Sequence, residues 1–379
     1  MADYICQMTN RIKVAHLSSA HPPDDTRIFY KECRTLAQAG YEVVLVIPHD
    51  RDESVNGVRI RAVPKPTGRF DRMLGTVREV YRVALEENAI IYHFHDPELI
   101  PVGIQLKNKG KKVIYDVHED LPRQILTKPW IVPFLRRVVG AGAQVVENLC
   151  AHYFDRIVTV TSTIADRFPE NKTTIVHNYP IFEEFSGADF IPYQERDPLV
   201  VYVGGITVIR GIKEMVKAVE LIPANWGVKL ILAGKFSPPA LENDVSSMAG
   251  WSNVEYLGWQ SREEVADLLN KARIGLVLLH PTLNYMNAYP IKLFEYMAAG
   301  IPVVASDFPL WRKIVSDIGC GLVADPLNPQ AIADAILWLL AHPVEAEIMG
   351  KRGQDAVIKK YNWNTESQEL LDVYQSLVK

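Results

Sequence analysis

The chain has 379 residues, of which 48% are hydrophobic and 23% charged, and its formal net charge is -4 at pH 7. At about 150 residues per domain this length suggests two cores, and the composition excludes a long disordered or fibrous region. With 41 Lys and Arg against 45 Asp and Glu, the chain lacks the broad cationic field that duplex nucleic acid requires.

Residues 1–10 do not place an apolar stretch after a cationic start, and nowhere do about 18 apolar residues run together as a bilayer span demands. Cys6, Cys33, Cys150 and Cys320 show no CxxC spacing, so neither a zinc site nor a disulfide framework is expected. A cytoplasmic protein with no transmembrane segment is the expectation.

Short Val/Ile-rich runs alternate with segments of helical period, the pattern of parallel strands joined by crossover helices. Strands are predicted at 13–17, 42–47, 58–63, 90–94, 112–116, 156–160 and 174–177, and helices at 26–39, 72–86, 99–107 and 133–153. The alternation stops over 181–198, a polar, aromatic, proline-punctuated stretch that is the best linker candidate. A second series has strands at 199–203, 229–233, 254–257, 274–279, 302–305 and 321–324, with helices at 212–221, 262–272, 292–299 and 331–341. The fold class is therefore α/β, two Rossmann-like doubly wound parallel-sheet domains whose strand ends face a shared cleft, the place where such folds bind ligands. The expected domains are 1–185, a linker at 186–198, 199–360, and a terminal helix at 361–379.

In the second half, Gly204-Gly205-Ile206-Thr207 follows the first strand, and Ile209-Arg210-Gly211 opens the first helix. Glycines at a strand-to-helix turn let amides approach a phosphate, and Arg210 adds a guanidinium; a plain tight turn uses the same letters. The stretch 284–306, NYMNAYPIKLFEYMAAGIPVVAS, carries more. A polar loop ends at Pro290, a helix begins near Ile291 and holds Glu295 on its early turns, and Ala298-Ala299-Gly300 closes it. Leu293, Phe294, Met297 and Ala298 mark the packed part of that helix, which argues against Glu295 being an ordinary solvated carboxylate.

This stretch resembles the E-x7-E region of glycosyltransferase family 4, retaining enzymes of GT-B fold that take a sugar from a nucleotide diphosphate without a metal. The resemblance spans the chain from Arg11 to Trp363. It implies that Glu295 binds the ribose hydroxyls and that Asn287 stands where the family has the acid that contacts the transferred sugar. It further implies that backbone amides over Ala288, Tyr289, Pro290 and Ile291 face the diphosphate. Arg210 takes the place of the usual lysine, and Gly205 the place of a customary arginine, with Lys235 and Lys292 as substitutes for the missing cation. UDP-glucose is the expected donor, a glycan or lipid-linked molecule the expected acceptor, and polysaccharide biosynthesis the expected setting.

The same resemblance makes the first half the acceptor domain and places the family's strand-end histidine at His118, in Tyr115-Asp116-Val117-His118-Glu119-Asp120. Its implied role is to position a sugar hydroxyl, since the leaving phosphate itself accepts the acceptor's proton. The segment after Trp363 resembles the family's last helix, which returns to pack on the first domain.

Other residues keep two readings open. His93 and His95, beside Asp96, have the i, i+2 spacing of a metal pair, but no further ligand is visible, and a structural and acceptor-lining role for His95 is preferred. His21, Asp25 and Arg27 lie in the loop before the first helix, where Asp25 and Arg27 either contact the acceptor or cap and solvate the helix start. Asp50-Arg51-Asp52 matches a metal-binding D-x-D but fits a solvated turn better. The stretch from Trp130 to Arg137 suits a resting place at the inner membrane surface or a helix entering the core, the second being preferred. Competing functions are a nucleotide-sugar epimerase of the same fold, a pyridoxal-phosphate phosphorylase, which needs a much larger chain, and a sugar-nucleotide-binding protein without transfer activity.

Overall fold

A computed structural model describes residues 11–127, 131–185 and 191–378; Cys6, Trp130 and residues 186–190 of the expected linker lie outside the described residues. The chain divides between Asn178 and Tyr179 and again between Trp363 and Asn364, so the last segment belongs to the first compact unit.

The first unit is built on strands β1 (Lys13–Leu17), β2 (Glu42–Pro48), β3 (Glu53–Val55), β4 (Val58–Val63), β5 (Ile91–Phe94), β6 (Lys112–Val117), β7 (Arg156–Thr159) and β8 (Thr173–Ile175). They form one sheet in the order β3-β4-β2-β1-β5-β6-β7-β8. All neighbours are parallel except β3 and β4. The antiparallel pair was not expected from the strand pattern. It is closed by Asn56 and Gly57, both at positive φ (51° and 80°), the geometry of a two-residue hairpin.

β1, β2 and β5 are buried on both faces, as crossover helices require of a parallel sheet. Chain order reverses between β1 and β5, and the register sets His16 beside His93 at that switch point.

The first helix departs from the regular one expected over 26–39. Thr26–Cys33 is wound as a π-helix and Arg34–Gln38 continues it as an α-helix. The wider turn brings Arg27, Lys31 and Glu32 to one buried face, where Arg27 pairs with Asp116 and Lys31 bonds Asn178. The last helix, Trp363–Val378, carries the buried Tyr374 into the same unit.

The second unit contains β9 (Leu199–Val203), β10 (Lys229–Ala233), β11 (Val254–Gly258), β12 (Ile274–Val277), β13 (Val303–Ser306) and β14 (Gly321–Ala324), ordered β11-β10-β9-β12-β13-β14. Every neighbouring pair is parallel, so the switch point lies between β9 and β12. One core layer packs the helices Ile212–Leu221 and Pro329–Ala341 on the sheet, and the other packs Ile291–Ala298 and Pro309–Ile318. Tyr296 fixes the Ile291–Ala298 helix. Its ring lies against Gly275 of β12, where an added Cβ would meet a ring carbon at 2.3 Å, and its hydroxyl accepts the Val203 N–H at 2.9 Å. One buried side chain thus docks this helix against the end of β9.

Among the described residues no helix is long and apolar enough to cross a membrane.

Candidate active site

In the second unit the loop after β9 is shaped by close backbone approach. Gly234 (φ 154°) lies so near Gly204 that an added Cβ would sit 2.0 Å from the Gly204 carbonyl oxygen, so only glycine fits there. The turn places its backbone beside two cations: a Cβ on Gly204 would lie 3.3 Å from Lys292 Nζ, and one on Gly205 would lie 3.0 Å from Arg210 Nη1. Arg210 donates to the Gly205 carbonyl at 3.2 Å and is further hydrogen-bonded by the Tyr202 and Tyr285 side chains. Tyr202 also donates to Gly205 O at 2.9 Å.

Lys292 differs from an ordinary surface lysine. Its stem is partly exposed, but among the described residues Nζ is buried with no hydrogen-bond partner and stands 3.9 Å from the centroid of the Tyr202 ring. Burial, reinforced by the Arg210 charge and only partly offset by Glu295, holds its pKa well below the usual lysine range. A buried amino group beside a guanidinium and an aromatic face, with the Glu295 charge only a partial offset, is an arrangement that an anion would complete.

The Ile291–Ala298 helix adds to this. Its start at Pro290 has no side-chain cap, so its first-turn amides are open to an anion. The amide expectation needs correction at two of its four positions. The Ala288 N–H donates to Tyr285 O at 3.1 Å, and Pro290 has no N–H to give. Ala288 instead anchors the loop, its carbonyl accepting Trp311 Nε1 at 2.8 Å, while Tyr289 packs on Tyr179 and Phe294. Ile291 and Lys292 supply the first-turn amides. Glu295 is half-buried one turn further on, and Asn287 is exposed. Lys235 is exposed at the end of β10; of the two substitute cations, Lys292 is the one that meets Arg210 and the glycine turn.

In the first unit the ends of β1, β5 and β6 assemble a histidine-rich site. Asp116 on β6 accepts Arg27 through Nε at 3.0 Å and Nη2 at 2.9 Å, His95 Nδ1 at 3.0 Å and His118 Nδ1 at 3.2 Å. His118 Nε2 lies 3.2 Å from His21 Nε2, and His21 Nδ1 lies 3.3 Å from Asp96. Burial alone would lower the His21 pKa, but the bonded Asp96 carboxylate, with Asp25 and Glu119, lifts it to about 9. The His21 imidazolium therefore donates to His118, which donates through Nδ1 to Asp116, and the network assigns this tautomer. His21 and His118 keep 24% and 15% of their side-chain surface exposed, so this pair can meet a ligand.

Arg27 and His95 do not line an acceptor surface as expected. Both are buried, Arg27 is spent on Asp116, Glu32 and the Val176 carbonyl, and His95 bonds Asp116 and His16 through its two nitrogens. Asp25 acts as the helix cap, accepting the Arg27 and Ile28 amides at 2.8 and 2.9 Å. Asp50 and Asp52 lie in an exposed loop and pair with Lys65 and Arg61. His16, Glu32 and Tyr374 also belong to this cluster and are not among the residues the sequence singles out, although His16 lies in the first strand, one residue before its end.

Two family models match: Glycosyltransferase Family 4 over residues 26–178 and Glycosyl transferases group 1 over residues 189–356. The chain is 22% identical to an uncharacterized glycosyltransferase of Methanocaldococcus jannaschii over 96% of its own length and 98% of the relative's. Among solved structures it resembles the sucrose-phosphate synthase of Thermosynechococcus elongatus, with a TM-score of 0.78 at 21% identity, covering 97% and 99% of the two chains. It also resembles the Anabaena HepE protein solved with UDP and glucose, with a TM-score of 0.74 at 13% identity, covering 97% and 100%; both likenesses concern the fold.

Proposed function

The chain belongs to the family 4 glycosyltransferases of GT-B fold, and we propose that it is a retaining hexosyltransferase that moves a sugar from a nucleotide diphosphate to a glycan or lipid-linked acceptor in polysaccharide biosynthesis. UDP-glucose is the donor proposed, and the transfer chemistry uses no metal. The observation that carries this proposal is the buried, unpartnered Lys292 ammonium beside Arg210 and the Gly204-Gly205 turn.

In this reading the pyrophosphate takes its place against Lys292, Arg210 and the first-turn amides of the Ile291–Ala298 helix. Glu295 accepts hydrogen bonds from the two ribose hydroxyls, and Asn287 contacts the sugar through its amide. The bond from the anomeric carbon to the phosphate oxygen breaks as the acceptor oxygen bonds that carbon from the same face. The acceptor's proton passes to the leaving phosphate, whose growing charge the two cations stabilise. His118, held by Asp116 and His21, orients a sugar hydroxyl. This makes the neighbourhood of His118 and His21 the acceptor side.

Glu295→Ala removes hydrogen bonds to a carboxylate, each worth about 1.5–3 kcal/mol, so UDP affinity measured by calorimetry should fall by about 10- to 100-fold and turnover of UDP-glucose with it. Unchanged turnover in the variant would refute the site.

The Pro133–Ala151 helix bears on the acceptor. The preferred core role for its start does not hold, because Val132, Phe134 and Leu135 are 50%, 76% and 40% exposed, and further along the helix Val138 and Leu149 are 68% and 69% exposed. Its first three turns carry Arg136 and Arg137 and no acid, which suits an anionic bilayer surface. Vesicles containing anionic phospholipid should pull the protein down in a salt-sensitive way, and Phe134→Asp with Leu149→Asp should release it. Equal sedimentation of wild type and double variant would remove the membrane from the proposal.

A further inference from the structure

Beneath the His118 site, four side chains with metal-ligating atoms converge from separate elements. The β1 and β5 register pairs His16 with His93, His95 follows on the same face two residues on, and the π-wound helix turns Glu32 inward. Glu32 Oε2 lies 3.8 Å from His16 Nδ1, 3.8 Å from His93 Nδ1 and 3.9 Å from His95 Nε2. One ligand atom from each residue falls within 4.8 Å of all the others. His16, Glu32 and His93 are 0% exposed and His95 is 3% exposed. Among the described residues Glu32 Oε2 and His93 Nε2 have no hydrogen-bond partner, while Glu32 Oε1 is paired with Arg27 Nε at 3.0 Å. A buried carboxylate oxygen without a hydrogen bond is rare and asks for an explanation.

We propose that His16, Glu32, His93 and His95 form a closed site for one divalent transition metal ion of the zinc type. Three imidazoles and a carboxylate suit zinc, cobalt or iron(II), and are wrong for magnesium or calcium, which take oxygen ligands. Bonds of about 2.0–2.1 Å in a tetrahedron set neighbouring ligand atoms about 3.3 Å apart, so the Glu32 distances need to close by roughly half an ångström, and for His93 to ligate through Nδ1 that nitrogen must give up the Tyr374 hydroxyl it meets at 2.8 Å.

The surrounding shell orients two of the ligands. His95 has Nδ1 on Asp116 at 3.0 Å, which frees Nε2, and His16 has Nε2 on the Tyr374 hydroxyl at 3.0 Å, which frees Nδ1. Such outer partners are how metal-bound histidines are held. In the metal-free protein His16 Nδ1 and His95 Nε2, 3.0 Å apart, share one proton. The ion displaces that proton and any proton on Glu32, and the freed protons leave to solvent. Four protein ligands leave no open position, so the ion is structural and is taken up as the chain folds. The alternative trio His95, Asp116 and His118 is disfavoured, because both Asp116 oxygens already accept hydrogen bonds, from Arg27, His95 and His118, whereas Glu32 Oε2 accepts none among the described residues.

The test is elemental analysis of the full chain, produced without a histidine tag in medium containing zinc and, separately, cobalt. About one equivalent of metal per chain is expected, retained when the native protein is dialysed against chelator and lost when it is unfolded in chelator. The cobalt form should show the visible bands of a four-coordinate ion. Glu32→Gln should lower the content at least tenfold, while His118→Ala should keep it. A folded wild-type chain with less than about 0.1 equivalent of every transition metal, and no gain in melting temperature on refolding with Zn2+ or Co2+, would overturn the site. So would loss in His118→Ala with retention in Glu32→Gln, which assigns the ion to the other trio. Metal content is measured independently of sugar transfer, so this inference stands or falls separately from the proposed activity.

Discussion

Replacing Lys292 by Met is expected to weaken UDP binding by about 10- to 100-fold and, at the same time, to raise the melting temperature of the ligand-free protein. The two effects have one cause. Nζ is buried without an acceptor among the described residues, and such a group costs a folded protein about 1–3 kcal/mol; Met keeps the length of the stem and its contact with the Tyr202 ring while removing the charge. In a unit of this size each kcal/mol shifts the melting temperature by about 2–4 °C.

The pH dependence separates this cause from a packing effect. Burial holds the folded pKa of Lys292 below its ordinary value, and the unfolded value is about 10.4. Between the two the unfolded chain binds more protons, so ligand-free stability rises with pH across that window. Lys292→Met should flatten the rise. Saturating UDP should flatten it in the wild type too, because a bound pyrophosphate stabilises the protonated amine. A variant that loses UDP affinity without gaining ligand-free stability would mean that the ammonium already has an acceptor, and the anion site would have to be sought elsewhere.

How much of this was legible in the sequence depends on the range of the forces involved. The α/β class and parallel sheets follow from local pattern, since runs such as Val43-Val44-Leu45-Val46-Ile47 are buried on both faces and announce it. The β3–β4 hairpin was also written locally, in Asn56-Gly57, but the polar strand before it hid the signal. Pro309 and Pro343 suggest loop punctuation, yet each opens a helix at its first turn, where a missing N–H is harmless. The π-winding of Thr26–Cys33 could not be seen, because it answers to the distant partners Asp116 and Asn178.

The same limit separates the candidate sites. The helix around Glu295 is a contiguous motif and shows in the sequence. Lys235 and Lys292 look alike there, because only the packed unit buries one ammonium and exposes the other lysine. The histidine cluster joins His16 to Tyr374 across nearly the whole chain, and no spacing rule connects residues that far apart.

Asp116→Ala is expected to destabilise the first unit by about 3–5 kcal/mol, the usual effect of removing one partner from a buried ion pair. Asp116 is fully buried, and its loss leaves Arg27 beside Glu32 alone and takes the Nδ1 acceptor from His95 and His118 together. Arg27→Met with Asp116→Leu, which removes both charges, should recover much of the loss. Donor affinity should be untouched in every variant that folds, because the proposed nucleotide residues all lie in the other unit; kcat should fall, because His118 loses the anchor that sets its tautomer.

The acid response of the metal-free wild type follows from the same groups. Burial lowers the pKa values of His16, His93 and His95, so below about pH 6.5 the unfolded chain takes up protons that the folded chain refuses, and stability falls with pH. Glu32, raised by burial and by Asp116, opposes this by one proton above about pH 4.3. Asp116, held low chiefly by Arg27 against its burial, adds a further loss below about pH 3.9. On the alkaline side His21 loses its contribution as pH rises from about 6.5 through its folded value of about 9. Urea unfolding of the first unit should therefore show greatest stability near pH 6.5 and a decline by about pH 5, before carboxylate protonation explains it. A flat profile from about pH 5 to 7 would mean that the three imidazoles are not neutral and buried together, and that the network drawn around Asp116 is wrong.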